Sequence, residues 1–232
     1  MSTYRSVLLD LDGTLIDSND AHARAWVDAF RAVGRFVTFG RVRPFIGMGA
    51  DHLLPAVAGI SETSDIGRTI NQRRSKLFLE RYLPHLRPFP SAGALLLELR
   101  ARGLELVVAT SAKREELSAL LGLLGARDLI AGATSSDDVD RSKPDPDIVR
   151  AALERADSKA TATVLLGDTA YDLAAARACG VDMIAFRCGG SSDASLRGAV
   201  EIYDGPHHLL VRLDQSKLAA TRHRRAAHVH RR

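Results

Sequence analysis

Two cysteines in 232 residues, Cys179 and Cys188, form neither a C-x-x-C pair nor a zinc-binding set, so thiol redox chemistry and a structural metal centre are not expected. No apolar run approaches the roughly 18–20 residues needed to cross a bilayer. The opening stretch MSTYRSVLLDLDG places acids where the apolar core of a signal peptide would continue, and a soluble cytoplasmic protein is expected. Internal repeats and low-complexity segments are missing from the body. Aromatic residues make up only 5%, and no helix-turn-helix, zinc or aromatic-basic pattern accompanies the basic residues, so nucleic acid is not an expected partner. What remains is ordinary globular composition, 46% hydrophobic and 26% charged, which also excludes a disordered or collagen-like chain.

The net charge of +4 is unevenly spread. Residues 217–232 hold six basic side chains (Lys217, Arg222, Arg224, Arg225, Arg231 and Arg232) and no acid. The remaining 26 basic against 28 acidic residues give the body a net charge of −2. Residues 216–232 therefore read as a solvated, disordered basic tail rather than a binding arm.

Short runs rich in Val, Ile and Leu alternate with segments of helical spacing. Strands are expected at Ser6–Leu9, Leu104–Ala109, Thr163–Leu166, Met183–Phe186 and Ala199–Tyr203, with a weaker one near Leu129–Thr134. Helices are expected at about 91–102, 113–124, 146–156, 169–179 and 206–213. Little polar alternation within the strands predicts a parallel sheet covered on both faces, a doubly wound α/β domain. From Ser18 to Leu83 the pattern is helical throughout. His22, Trp26, Phe30 and Val33 share a stripe opened by Ser18, Asn19 or Asp20 and stopped by Gly34, and 49–58 and 62–82 also read as helices. A Pro-rich passage from Leu83 to Pro90 returns the chain to the α/β pattern. The expected division is an α/β core over 1–16 and 88–215 with an inserted helical cap over 17–87.

Ligands of such sheets bind beyond the carboxyl ends of the strands, and four of these ends carry polar residues. The first runs into Asp10-Leu11-Asp12-Gly13-Thr14-Leu15, where residues two apart on an extended chain point to the same side. Two carboxylates so placed repel each other unless a cation neutralises them or one keeps a proton; a solvated Asp-rich turn is the other reading. Thr110-Ser111 offers hydroxyls and helix N–H groups to an anion, or simply caps the next helix. Lys143, held by Pro144 and Pro146, is alone no more than a surface lysine. Gly167-Asp168 and Asp172 supply two further acids, with Asp168 able to serve as a helix cap. Taken together, hard oxygen donors without a His or Cys cluster favour Mg²⁺, and a cation, a lysine and a helix N-terminus suit a phosphoryl group.

These four motifs, in this order, resemble those of the haloacid dehalogenase superfamily, in the branch with a helical cap between the first two motifs. Within it the chain resembles phosphoglycolate phosphatases and β-phosphoglucomutases, including His22-Ala23-Arg24-Ala25-Trp26. An acid at Asp12 sets it beside the phosphoryl-transfer members rather than the dehalogenases. The resemblance implies Asp10 as nucleophile and Asp12 as general acid/base. It further implies Mg²⁺ held by Asp10, the Asp12 carbonyl and Asp168, with Asp172 behind them, and phosphate bound by Thr110, Ser111 and Lys143. The cap would close over a small phosphorylated substrate. Phe45–Gly49 is expected to face the site, and His22 to be packed. Gly47–His52 lacks the basic residue expected of the sugar-phosphate mutases, which favours a phosphatase over a phosphomutase. A receiver-like domain is disfavoured by the chain's length and by its cap.

Overall fold

In a computed structural model, residues 4–219 are described. Six strands form one parallel sheet in the order β3-β2-β1-β4-β5-β6, with β1 at Ser6–Leu9, β2 at Glu105–Ala109, β3 at Gly132–Thr134, β4 at Thr163–Gly167, β5 at Asp182–Phe186 and β6 at Glu201–Tyr203. Each expected strand is present, the third and sixth shorter than anticipated. The order reverses direction beside β1, which pairs with both β2 and β4. This is the switch point at which doubly wound sheets bind ligands.

Both faces are covered, which explains the continuous apolar strands. Val7, Leu9, Val108 and Leu166 point to one side, against Leu95, Leu99, Leu120 and Leu209 from α5 (Ala92–Ala101), α6 (Arg114–Leu124) and α9 (Pro206–Arg212). Leu8, Val107, Leu165 and Ala185 point to the other, against Ile148, Ala152, Ala175 and Ala176 from α7 (Asp147–Arg155) and α8 (Ala170–Ala178). A strand period of two thus divides one apolar run between two helix layers.

Between β1 and β2 lie α1 (Asn19–Arg31), a short α2 (Phe39–Val42), α3 (Ala50–Ala58) and α4 (Asp65–Leu77). They share their own core of Trp26, Phe30, Leu53, Leu54, Val57 and Ile70. The single helix expected over 62–82 is divided. Ser64 caps α4 by accepting from Gly67 N–H, and after Leu77 the chain widens into a π turn at Phe78–Tyr82. The two connections run side by side, Asp17 N–H donating to Arg87 O and Phe89 N–H to Leu15 O.

The C-terminal expectation needs correction. Ser216–Ala219 belong to the packed body, with Leu218 buried in the main core and Lys217 N–H donating to the Glu201 carboxylate. The remainder of the basic tail, 220–232, lies outside the described residues. Among the described residues no helix is long and apolar enough to cross a membrane.

Candidate active site

The sheet register sets the site. Leu9 pairs with Val108 on one side and Leu166 on the other, so Asp10, Thr110 and Asp168 all emerge at the same carboxyl edge. Asp10 N–H still donates to Leu166 O, which fixes the backbone of the first carboxylate. Beyond it Gly13 turns the chain with φ of +80°, and a Cβ there would collide with Asn19 and Asp168.

Asp10 and Lys143 meet beneath this edge. The fully buried Lys143 Nζ lies 2.7 Å from Asp10 Oδ1 and 2.6 Å from Asp172 Oδ1. Asp172 completes its bonding at Thr169, whose N–H and hydroxyl both donate to Oδ2, at 3.1 and 2.6 Å. Thr169 is therefore the cap of α8, in a reciprocal capping box with Asp172, and Asp168 is not. Freed from capping, Asp168 turns inward. Asn19 Nδ2 donates to its Oδ2 at 2.9 Å, and the Thr14 hydroxyl lies 3.1 Å from its Oδ1 and 2.9 Å from Asp10 Oδ2. One hydroxyl proton thus faces two acceptor carboxylates.

Charge is unbalanced here. One oxygen each of Asp10, Asp168 and Asp172 lie within 4.8 Å of one another, all buried, and Lys143 is the single ammonium among them. Burial, opposed by Lys143 and reinforced by Asp172, pushes the Asp10 carboxyl up to about 7. Burial followed by repulsion from Asp10 and Asp172 raises Asp168 well above the carboxylate range. Lys143 is held charged: its burial opposes the charge, but Asp10 and Asp172 more than offset it. An excess of two negative charges surrounded by oxygen donors fits one hard divalent cation.

Asp12 faces another way. Its Oδ1 accepts from the Ser18 hydroxyl and lies 2.9 Å from His22 Nε2. Burial would raise this carboxyl, yet His22, Ser18 and the charge of Arg74 together hold it below the ordinary range. Sequence periodicity makes His22 a packed residue, and it is one, stacked at 3.8 Å on Phe78. It is equally a partner of the acid, a role the stripe alone did not indicate.

Asp10, Asp12, Thr110 and Ser111 line one narrow cleft of about 50 Å³, roofed by His22, Trp26, Ile46–Ala50 and Arg74 and bounded by Glu116. Of the Phe45–Gly49 passage, Ile46–Gly49 face the site, whereas Phe45 packs against the core of the inserted helices. Lys143, Asp168 and Asp172 are buried and do not line this cleft. Thr110 Oγ1 accepts from Ala112 N–H, leaving its own proton to donate. α6 starts only at Arg114, so the N–H groups near Thr110 belong to a loop, not to the helix terminus anticipated from the sequence. Missed altogether were Thr14 and Asn19, which hold Asp168, and Arg74 and Glu116. Glu116 is fully buried and takes both a 2.6 Å bond from Arg74 Nη1 and a 2.6 Å bond from the Ser75 hydroxyl.

Comparison with known proteins places the chain in a family. A family model describing haloacid dehalogenase-like hydrolases matches residues 7–186. The chain is 33% identical over 213 residues to a phosphoglycolate phosphatase of Rhodospirillum rubrum, covering 86% of this chain and 87% of that one. It is 31% identical over 222 residues to a plasmid phosphoglycolate phosphatase of Cupriavidus necator, covering 92% and 95%. Among solved structures, a hydrolase from Pseudomonas syringae superposes with a TM-score of 0.84 at 29% identity, covering 90% of this chain and 98% of that one.

Proposed function

The chain belongs to the haloacid dehalogenase-like hydrolases and is a phosphatase of that family, and from this premise we propose that it hydrolyses a small phosphomonoester through an aspartyl-phosphate on Asp10. The observation that carries the reading is the pairing of Asp10 and Asp12 at one cleft, each with a different electrostatic partner: Lys143 for the first, His22 for the second. Environments that differ for two neighbouring carboxylates divide their roles.

An Asp10 oxygen attacks phosphorus as the ester P–O bond breaks, and Asp12 gives its proton to the departing oxygen. In the second half, Asp12 takes a proton from water, the water oxygen attacks phosphorus, and Asp10 leaves as a carboxylate. His22, Ser18 and Arg74 keep Asp12 ionised in the free site, so the proton it gives in the first half is taken up with the substrate and is regained from water in the second. Thr110 and Ser111 bind phosphate oxygens. Lys143 opposes the protonation of Asp10 and offsets charge that develops on the transferred group. Mg²⁺ is the cofactor proposed, held by Asp10, the Asp12 carbonyl and Asp168, with Asp172 behind them. When bound, the ion supplies charge neutralisation at the phosphoryl oxygens. Residues 17–87 act as the cap, on core segments 4–16 and 88–219, and exclude bulk water. The two unpaired cysteines, Cys179 and Cys188, suit a cytoplasmic setting.

Phosphoglycolate is the first substrate to test, since two relatives that the chain matches over most of their length carry that name. The phosphomutase alternative has less support from those relatives. Purified protein is expected to release phosphate from p-nitrophenyl phosphate and from members of a phosphomonoester panel in MgCl₂, and Asp10→Asn to abolish it. Metal-dependent release that survives in Asp10→Asn would overturn the mechanism.

A further inference from the structure

Arg74 is the one arginine or lysine lining the cleft among the described residues. It comes from α4 and is only 6% exposed. Nη1 donates to Glu116, Nη2 lies 3.3 Å from Asn71 Oδ1, and the guanidinium sits 5.2 Å from the Trp26 ring. Nε, although buried, has no partner. A buried N–H left unpaired is costly, and a site that keeps one is waiting for an acceptor. Arg74 lines the same cleft as Asp10 and Asp12, so this donor opens on the space that holds the reacting end.

The space around it constrains what the acceptor can be. Arg74, Ala50 and Ser111 also line an adjoining cavity of about 230 Å³, whose walls carry Asp51, Glu62, Asp137 and Asp140 against Lys113. Glu62 feels the acidity: burial and then Asp51 raise its carboxyl. An anionic chain running past Arg74 would enter an acid-lined space, whereas one ending at Arg74 would stop at a cation. The cleft is itself narrow. Arg74 shares this small cleft with Asp10 and Asp12, so only a short substrate held at Asp10 can end against it.

Resting on the phosphatase reading above, we propose that Arg74 is a specificity-determining residue, and that it selects small phosphomonoesters whose far end is a carboxylate. Glu116 holds the guanidinium in place and tempers its charge. Arginine suits such a role because its planar fork can keep one carboxylate partner while offering further N–H groups to another.

The test compares 2-phosphoglycolate with 2-hydroxyethyl phosphate, in which the carboxylate is replaced by a neutral CH₂OH. The readout is the ratio of kcat/KM for the two esters in MgCl₂. In the wild type the ratio is expected to favour the acid by about 10- to 100-fold, the value of a hydrogen bond to a charged group. Arg74→Gln should bring the ratio down at least tenfold, and Glu116→Gln should raise it, because the arginine then lacks its counter-charge. Should Arg74→Gln fold poorly through the unpaired Glu116, the Arg74→Gln/Glu116→Gln pair removes both charges, and its ratio should fall at least tenfold below that of Glu116→Gln. A purely structural ion pair would lower turnover of both esters together and leave the ratio in place. Equal turnover of the two esters by the wild type, an Arg74→Gln ratio within threefold of wild type, or a double-variant ratio within threefold of that of Glu116→Gln, would overturn the assignment and leave the phosphatase reading standing. Failure of the wild type to hydrolyse either ester or p-nitrophenyl phosphate would overturn both.

Discussion

Replacing Lys143 by methionine tests the electrostatics of the site without requiring a substrate. The side chain is of similar length, and the ammonium it removes is the only positive charge among the three buried carboxylates of Asp10, Asp168 and Asp172. Breaking a buried ion pair by deleting one partner costs about 3–5 kcal/mol when the other must stay charged. A carboxyl can instead take a proton, and keeping a group of intrinsic pKa near 3.9 neutral costs roughly 1.5 kcal/mol at pH 5 but about 5.6 kcal/mol at pH 8. The cheaper route decides, so each carboxyl loses at most about 1.5 kcal/mol at pH 5 and about 3–5 kcal/mol at pH 8. The sign agrees with the native site. Asp10 is already raised to about 7, so its contribution to stability is greatest at low pH and is lost as pH rises through that value. For a domain of this size, 1 kcal/mol moves Tm by about 2–4 °C, and Lys143 pairs with two carboxyls, so the variant should melt roughly 12–40 °C below wild type at pH 8 and at most about 6–12 °C below it at pH 5. Calorimetry in EDTA at both pH values measures this directly. An equal loss at the two, or a larger one at pH 5, would refute the charge argument and reduce Lys143 to a packing role.

Three further outcomes follow from the same geometry. Mg²⁺ should raise the Tm of the wild-type protein, by more at pH 8 than at pH 5.5, because protons compete for the raised Asp10 and Asp168 carboxyls; a shift independent of pH in differential scanning fluorimetry would contradict this. Asp12→Asn should lower kcat for p-nitrophenyl phosphate by about 10²–10⁴-fold, with KM changed far less, since the group acts on a proton in the transition state. Gly189→Ala would drive a Cβ into the Asp168 carboxylate, so its Mg²⁺ affinity by titration calorimetry should fall at least tenfold while the apo protein stays folded; unchanged affinity would show that Asp168 is not needed for the ion.

The reach of the sequence ends where side chains from distant segments meet. β1, β2, β4 and β5 were legible because a strand buried on both faces has no alternative to a continuous apolar run, and the run ends where Asp10, Thr110 and Asp168 must emerge. Asp172 was legible as a partner of Asp168 by its spacing, but the spacing could not say which acid would cap α8. A hydroxyl decided it: Thr169 takes the capping position and releases Asp168 into the site. Ser18 reverses the pattern, standing at the start of α1 without capping it and sending its hydroxyl to Asp12. Polar residues at helix starts thus have two competing uses, and only the packing around them selects one. Arg74 and Glu116 carry no local signal at all. In the sequence they are a charge on an amphipathic helix and an acid in the first turn of another, each the ordinary occupant of a solvated face. They become buried partners because α4 is folded over α6, and that contact depends on the apolar core of Trp26, Phe30, Leu53 and Ile70 rather than on any motif. On the proposed assignment, the chemistry at phosphorus is written locally, at strand ends, whereas discrimination between substrates is written in the packing of the inserted helices against the core. Substitutions in the cap's apolar interior should accordingly alter the choice of substrate without touching any residue that contacts phosphate.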